Sequence, residues 1–128
     1  MNRKNKGTNA ERELIHLFWK NNWAAHRVAG SGSSRYPACD VIASNKIRRL
    51  AIEAKTSKDP KKYLSNDEVN QLKEFSEMFG AEPWIALRFD RKDWLFMSLE
   101  DMKKSENSYM ASVELAEAKG LLFEELIR

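Results

Sequence analysis

The stretch Leu50-Ala51-Ile52-Glu53-Ala54-Lys55 most narrows what this chain can become, because an acid and an amine two residues apart interrupt an otherwise apolar run. On a β-strand alternate side chains share a face, so Glu53 and Lys55 stand side by side while Ile52 and Ala54 point the other way, toward a core. Burying charged groups is costly unless each finds a partner. A partner is at hand in Asp40, which opens the apolar run Asp40-Val41-Ile42-Ala43. A turn at Ser44-Asn45-Lys46 makes the two runs a hairpin, and across its ladder Asp40 can approach Glu53.

The rest of the chain alternates helical and strand patterns. Thr8-Asn9-Ala10-Glu11 has capping-box spacing, and Leu14, Ile15, Leu17 and Phe18 follow at helical period, which predicts a helix from about Asn9 to Asn21. Trp23 to Ala29 reads as a strand, and Gly30-Ser31-Gly32-Ser33-Ser34-Arg35-Tyr36-Pro37 as an exposed, mobile loop. Ser65-Asn66-Asp67-Glu68 repeats the capping-box spacing before Val69, Leu72, Phe75, Ser76 and Phe79, with Gly80 placed to end a second helix. Trp84 to Phe89 and Trp94 to Met97 form a further hairpin around the charged Asp90-Arg91-Lys92-Asp93. Beyond Ser98 the pattern predicts a helical turn over Leu99 to Lys103, a short helix over Val113 to Lys119 ended by Gly120, and a terminal helix over Leu121 to Ile127. The expected architecture is α/β, a central mixed sheet of about five strands flanked by helices, in a single domain spanning residues 1–128.

Composition removes several functional classes. The single cysteine, Cys39, excludes an intrachain disulfide and a CxxC zinc site, and His16 and His26 are too few to supply one, so any bound metal must rest mostly on oxygen ligands. Cys39 itself reads as a small buried apolar residue, and the two histidines as packing or surface positions. With no apolar run of about 18 residues and a polar, basic start at Met1-Asn2-Arg3-Lys4-Asn5-Lys6, the expectation is a cytoplasmic protein with no membrane association. The net charge of +3 conceals an asymmetry: residues 1–64 carry 14 Lys/Arg against 5 Asp/Glu, a net of +9, and residues 65–128 carry 8 against 14, a net of −6. The first half is suited to meet a polyanion.

Two neighbouring carboxylates repel one another unless a cation lies between them or an ammonium beside them. Mg²⁺ suits such a place, since it prefers hard oxygen ligands and keeps several waters, and Mn²⁺ can substitute for it. Asp40 and Glu53, with the backbone carbonyl of Ala54, would then hold the ion, and Lys55 would lie within reach of a phosphate oxygen. Glu11 offers a third acid, for it stands three, four and seven residues before Leu14, Ile15 and Phe18 on one helix stripe; its other reading is as the capping-box partner of Thr8.

Taken in order, Glu11, Asp40 and Glu53-Ala54-Lys55 resemble the PD-(D/E)xK nuclease motif. The surrounding text resembles the archaeal Holliday-junction resolvases: a basic N-terminal segment, Glu11-Arg12, Arg27, the Gly30–Arg35 loop, Asp40-Val41-Ile42-Ala43 and Glu53-Ala54-Lys55-Thr56-Ser57-Lys58. Where that motif commonly has proline before the aspartate, this chain has Cys39, with Pro37 two positions earlier. The resemblance implies a restriction-endonuclease-like fold and a homodimer that cuts opposed strands of a four-way DNA junction, with Glu11, Asp40, Glu53 and Lys55 catalytic. It also implies that Arg12 and Arg27 orient the scissile phosphate, that Ser31, Ser33 and Arg35 reach DNA from the loop, and that Lys4, Lys6 and Lys58 add to the basic surface. A dimer supplies two active sites for two incisions, and its surface is expected in the acidic, aromatic-rich second half. A duplex or repair endonuclease, or a non-catalytic DNA-binding module on the same fold, would share much of this pattern.

Overall fold

The structure is a computed structural model that describes residues 3–128, with side chains from Gly7 onward. Helix α1 (Arg3–Lys20) leads into strand β1 (Ala24–Arg27), followed by β2 (Val41–Ser44), β3 (Arg49–Ser57) and β4 (Lys61–Ser65). Helix α2 (Asn66–Phe79), β5 (Glu82–Phe89) and β6 (Leu95–Met97) come next. The chain ends with β7 (Lys103–Lys104), β8 (Ser108–Ser112), α3 (Val113–Lys119), β9 (Leu121–Leu122) and α4 (Phe123–Leu126).

A six-stranded sheet in the order β1-β2-β3-β5-β6-β9 forms the centre, and β4-β8-β7 form a separate three-stranded sheet. The large sheet is mixed: β3 and β5 run parallel, placing Glu53 opposite Ile85 and Lys55 opposite Leu87, and the other pairs are antiparallel. The parallel pair follows from the intervening helix, since α2 carries the chain back to the starting end of the sheet before β5 begins.

Each face of the sheet owns a core. On one, Leu14 and Phe18 of α1 pack with Ile52, Ala86, Phe96 and Phe123, the Phe18 and Phe123 rings meeting edge to face at 5.1 Å. On the other, Val69 and Leu72 of α2 pack with Ala51, Ile85 and Leu87. Burying a side chain such as Phe18 or Leu72 contributes about 1.5–3 kcal/mol. Residues 50–52 of β3 are buried, and its charges fall outside that run, Arg49 before it and Glu53 and Lys55 after it.

The second helix forms as its sequence predicts: the Ser65 side chain accepts from the Glu68 N–H, the Glu68 side chain accepts from the Ser65 N–H, and Gly80 at φ 75° supplies the left-handed residue that ends the helix. The first does not. Because α1 already runs from Arg3, Thr8 and Glu11 lie inside it and no capping box forms there. The sheet has six strands where about five were expected, and β4, β7 and β8 escape the pattern reading. The terminal segment divides into the two-residue β9 and the single turn of α4, where one helix was expected.

Candidate active site

The Asp40 carboxylate is fixed at the mouth of the β2–β3 hairpin. Its N–H donates to the Ile52 carbonyl at 3.0 Å, one Oδ accepts from the Ala54 N–H at 2.9 Å, and the other accepts from the Ser31 hydroxyl at 3.0 Å. Ser31 opens a 3-10 turn over Ser31–Ser33, reached through Gly30 at φ 71°, a backbone angle that glycine adopts freely. The loop thus returns its first serine to the aspartate. Cys39, fully buried beside it, donates its thiol to the Val41 carbonyl at 3.4 Å, and burial with the nearby Asp40 charge pushes it up to about 12. A thiol so protonated packs and does not react.

Glu11, Ser31, Asp40, Glu53, Ala54 and Lys55 line one cavity of about 380 Å³, together with Asp67, Glu68 and Gln71 of α2. Burial, then the charge of Asp40, pushes the Glu53 carboxyl up to about 8 against the opposing pull of Lys55. Burial and Asp40 also raise Glu11, opposed by Arg27, whose Nε lies 3.1 Å from Glu11. Lys55 Nζ stands 3.7 Å from Glu53 and forms a direct ion pair with Glu68. Burial works to lower the Lys55 ammonium, but the hydrogen bond to Glu68 outweighs it and its proton is held above the ordinary range.

This donor set fits a hard divalent cation. Carboxyl oxygens converge, no soft ligand is present among the described residues lining the cavity, and a carboxyl raised to about 8 by burial and a like charge is one that an added cation would ionise. The acids are not yet a ready-made cage: among the described residues no three stand in metal-holding geometry. Glu11 faces Arg27, and both Asp40 oxygens are engaged by Ser31 and Ala54.

Of the DNA-contact candidates, Arg27 and Ser31 join this group through Glu11 and Asp40. Arg12, Ser33, Arg35 and Lys58 are exposed, Ser33 donating to the Gly30 carbonyl and Lys58 lining a neighbouring cavity with Asn9, Ser57 and Arg88. The side chains of Lys4 and Lys6 lie outside the described residues. Sequence reasoning passed over Glu68. Its place in a capping box was legible, but its reach to Lys55 crosses from helix to strand and leaves no mark in local spacing.

Comparison with known proteins gives this arrangement a lineage. The family model described as archaeal Holliday junction resolvase (Hjc) matches residues 2–128. The chain belongs to that family. Its relatives include the crossover junction endodeoxyribonuclease Hjc of Archaeoglobus fulgidus, 43% identical over 95% of this chain and 95% of the relative. The crossover junction endodeoxyribonuclease Hje of Sulfolobus acidocaldarius is 34% identical, over 78% of this chain and 74% of its own length. The solved structure of Archaeoglobus fulgidus Hjc, titled a Holliday junction resolvase from an archaeal hyperthermophile, superposes with a TM-score of 0.88 at 39% identity, covering 93% of this chain and 96% of the other. The mixed sheet with flanking helices is therefore the fold of the resolvase family, restriction-endonuclease-like as expected.

Proposed function

We propose that this resolvase-family chain is a cytoplasmic, homodimeric, Mg²⁺-dependent endodeoxyribonuclease, one nuclease domain per subunit, that resolves four-way DNA junctions by paired incisions. The observation that carries the reading is the convergence of Glu11, Asp40, Glu53 and Lys55 on one cavity in a chain of this family.

Asp40, Glu53 and the Ala54 carbonyl would hold the ion, with Glu11 joining once it leaves Arg27. Bound there, Mg²⁺ would activate water and offset the negative charge that grows on the phosphate during hydrolysis. Ser31 and the Ala54 N–H keep the Asp40 carboxylate aimed into the cavity. Lys55 places an ammonium beside the phosphate oxygens, where a fixed positive charge stabilises the transition state. Arg27, freed from Glu11, can grip a phosphate in bidentate fashion, and Lys4, Lys6, Arg12, Ser33, Arg35 and Lys58 would track the DNA backbone, where contacts position without reading sequence.

Two incisions related by two-fold symmetry need two such cavities, which an isologous dimer provides. The exposed Met78 and Phe79 at the end of α2, with Phe79 stacked on Phe75 at 5.2 Å, put an apolar surface in the half of the chain expected to pair. No helix among the described residues is long and apolar enough to cross a membrane.

The deciding experiment compares Mg²⁺-dependent cleavage of a four-way junction with that of linear duplex built from the same arms. Preferential, paired cutting of the junction is expected. Equal cutting of both would assign the chain to duplex or repair cleavage, and binding without any cutting would make it a non-catalytic module.

A further inference from the structure

We propose that Glu68 is a positioning residue, which holds the Lys55 ammonium in the active cavity and away from the two acids meant for the cation. The proposal rests on the reading of Lys55 as the amine that meets the phosphate. Glu68 occupies the first turn of α2, and its two carboxylate oxygens have separate duties. Oε1 accepts from the Ser65 N–H at 3.1 Å and from the Ser65 hydroxyl at 3.3 Å, while Oε2 takes the Lys55 ammonium. A helix cap needs an acceptor at Oε1 and nothing more, a need that a glutamine would meet equally well. The negative charge on the other oxygen therefore serves Lys55.

The geometry also says why Lys55 should need holding. Its ammonium sits on a flexible four-carbon stem in a cavity that Glu11, Asp40 and Glu53 also line. Left free, it would settle on the nearest carboxylate, and Glu53 is already only 3.7 Å away. There it would neutralise a ligand and compete with the ion. The closer bond to Glu68 draws it toward the helix side. The side chains of Lys55 and Glu68 are 23% and 34% exposed, so water screens the pair less than it would one on the open surface.

The test uses the full chain carrying Glu68→Gln, Glu68→Asp, Lys55→Ala and the double variant Lys55→Ala/Glu68→Gln. Ser112→Ala, which removes the α3 cap formed by Ser112 and the Leu115 N–H, serves as a destabilised control that leaves both members of the charge pair in place. In metal-free protein the ¹⁵N resonance of the Lys55 ammonium should be slow to exchange in the wild type and broadened or lost in Glu68→Gln, independently of activity. Single-turnover junction cleavage with Mg²⁺ should fall about 10- to 100-fold in Glu68→Gln, the usual effect of removing a group that orients a ligand or catalytic group. Junction affinity measured without metal should stay within about twofold. Glu68→Asp should recover part of the loss, and Ser112→Ala should cut at the wild-type rate well below its melting temperature.

In the Lys55→Ala background Glu68→Gln should cost less than about twofold, because its effect runs through the lysine. The proposal is overturned if Glu68→Gln cuts at the wild-type rate, or if it costs as much without Lys55 as with it. If Lys55→Ala itself cuts normally, the reading of Lys55 fails and takes the proposal with it. Impaired Lys55→Ala beside normal Glu68→Gln defeats only the assignment of Glu68.

Discussion

Glu53→Gln in metal-free protein probes the crowding of the carboxylates by its effect on stability. Burial, followed by the charge of Asp40, moves the Glu53 carboxyl from 4.5 to about 8. Its side chain is only 14% exposed, so screening by solvent is slight. Between about 4.5 and 8 the folded chain keeps a proton that the unfolded chain releases, so raising pH through that interval favours unfolding. Below the interval both states are protonated and above it both are ionised, and the penalty then stops growing. Each pH unit inside it costs about 1.4 kcal/mol, which from about pH 5 to pH 8 amounts to about 4 kcal/mol. That is a large share of the roughly 5–15 kcal/mol typical of a domain.

Glutamine carries no titrating proton. In urea melts with a chelator, the stability of Glu53→Gln relative to wild type should therefore rise from near zero at about pH 5 to about 4 kcal/mol at about pH 8. Working with the difference cancels the titration of Glu82, whose carboxyl is lowered and whose contribution is lost as pH falls, while the coupled Glu68 carboxyl is also lowered, so its loss lies on the acid side of this interval. Saturating Mg²⁺ at the high-pH end should then stabilise the wild type alone, by about 2.7 kcal/mol at a hundredfold excess over Kd, and close most of the gap. Parallel pH profiles for the two proteins would refute the reasoning.

Asp40→Asn should abolish junction cleavage in a gel assay with Mg²⁺ while leaving junction affinity within a few-fold, because it removes a ligand charge and leaves the basic surface intact. Junction affinity measured across a salt series should fall steeply and depend little on base sequence, as expected where Lys and Arg displace counterions from several phosphates; a flat salt response would contradict the assigned surface. A one-to-one mixture of wild type with Glu53→Gln should give heterodimers that leave a supercoil-extruded junction as nicked circles, and sedimentation should report twice the 14.9 kDa chain mass. Leu72→Ala, which empties a fully buried site beneath α2, should cost about 2–5 kcal/mol in urea melts.

The sequence made plain those parts of the fold whose signals are local. The Glu53–Lys55 alternation, the Ser65–Glu68 box and Gly80 each act within a few residues, and each lies where its spacing predicts. The strand β4 did not announce itself because its pairing partner is distant in sequence, Leu64 meeting Tyr109, and β7, which pairs locally with β8 through Lys103 and Met110, has only two residues, both exposed. β4 buries just one side chain, Leu64, too little for an alternating pattern to show. The start of α1 was concealed by its composition, since Arg3-Lys4-Asn5-Lys6-Gly7 is polar and contains a helix-weakening glycine, while Thr8 imitates a cap. The ion pairs that organise the cavity, Glu11 with Arg27 and Lys55 with Glu68, join separate elements and become visible only once the chain is folded.

Those pairs bear on the order in which DNA and cation meet this site. Five acids and one lysine line the cavity: Glu11, Asp40, Glu53, Asp67 and Glu68 against Lys55. A phosphate entering it would meet carboxylates on most sides, even though residues 1–64 carry a net charge of +9. On the proposed assignment the basic surface would therefore hold DNA without metal, but the scissile phosphate would gain a favourable place in the cavity only when a cation has offset the acids. Arg27 fits the same logic, because it neutralises Glu11 in the structure and becomes available to phosphate when a cation takes its place. On the proposed assignment binding and cutting would then be separable: affinity would reside in the basic surface and depend on salt, whereas incision would reside in the cavity and depend on how its acids are balanced.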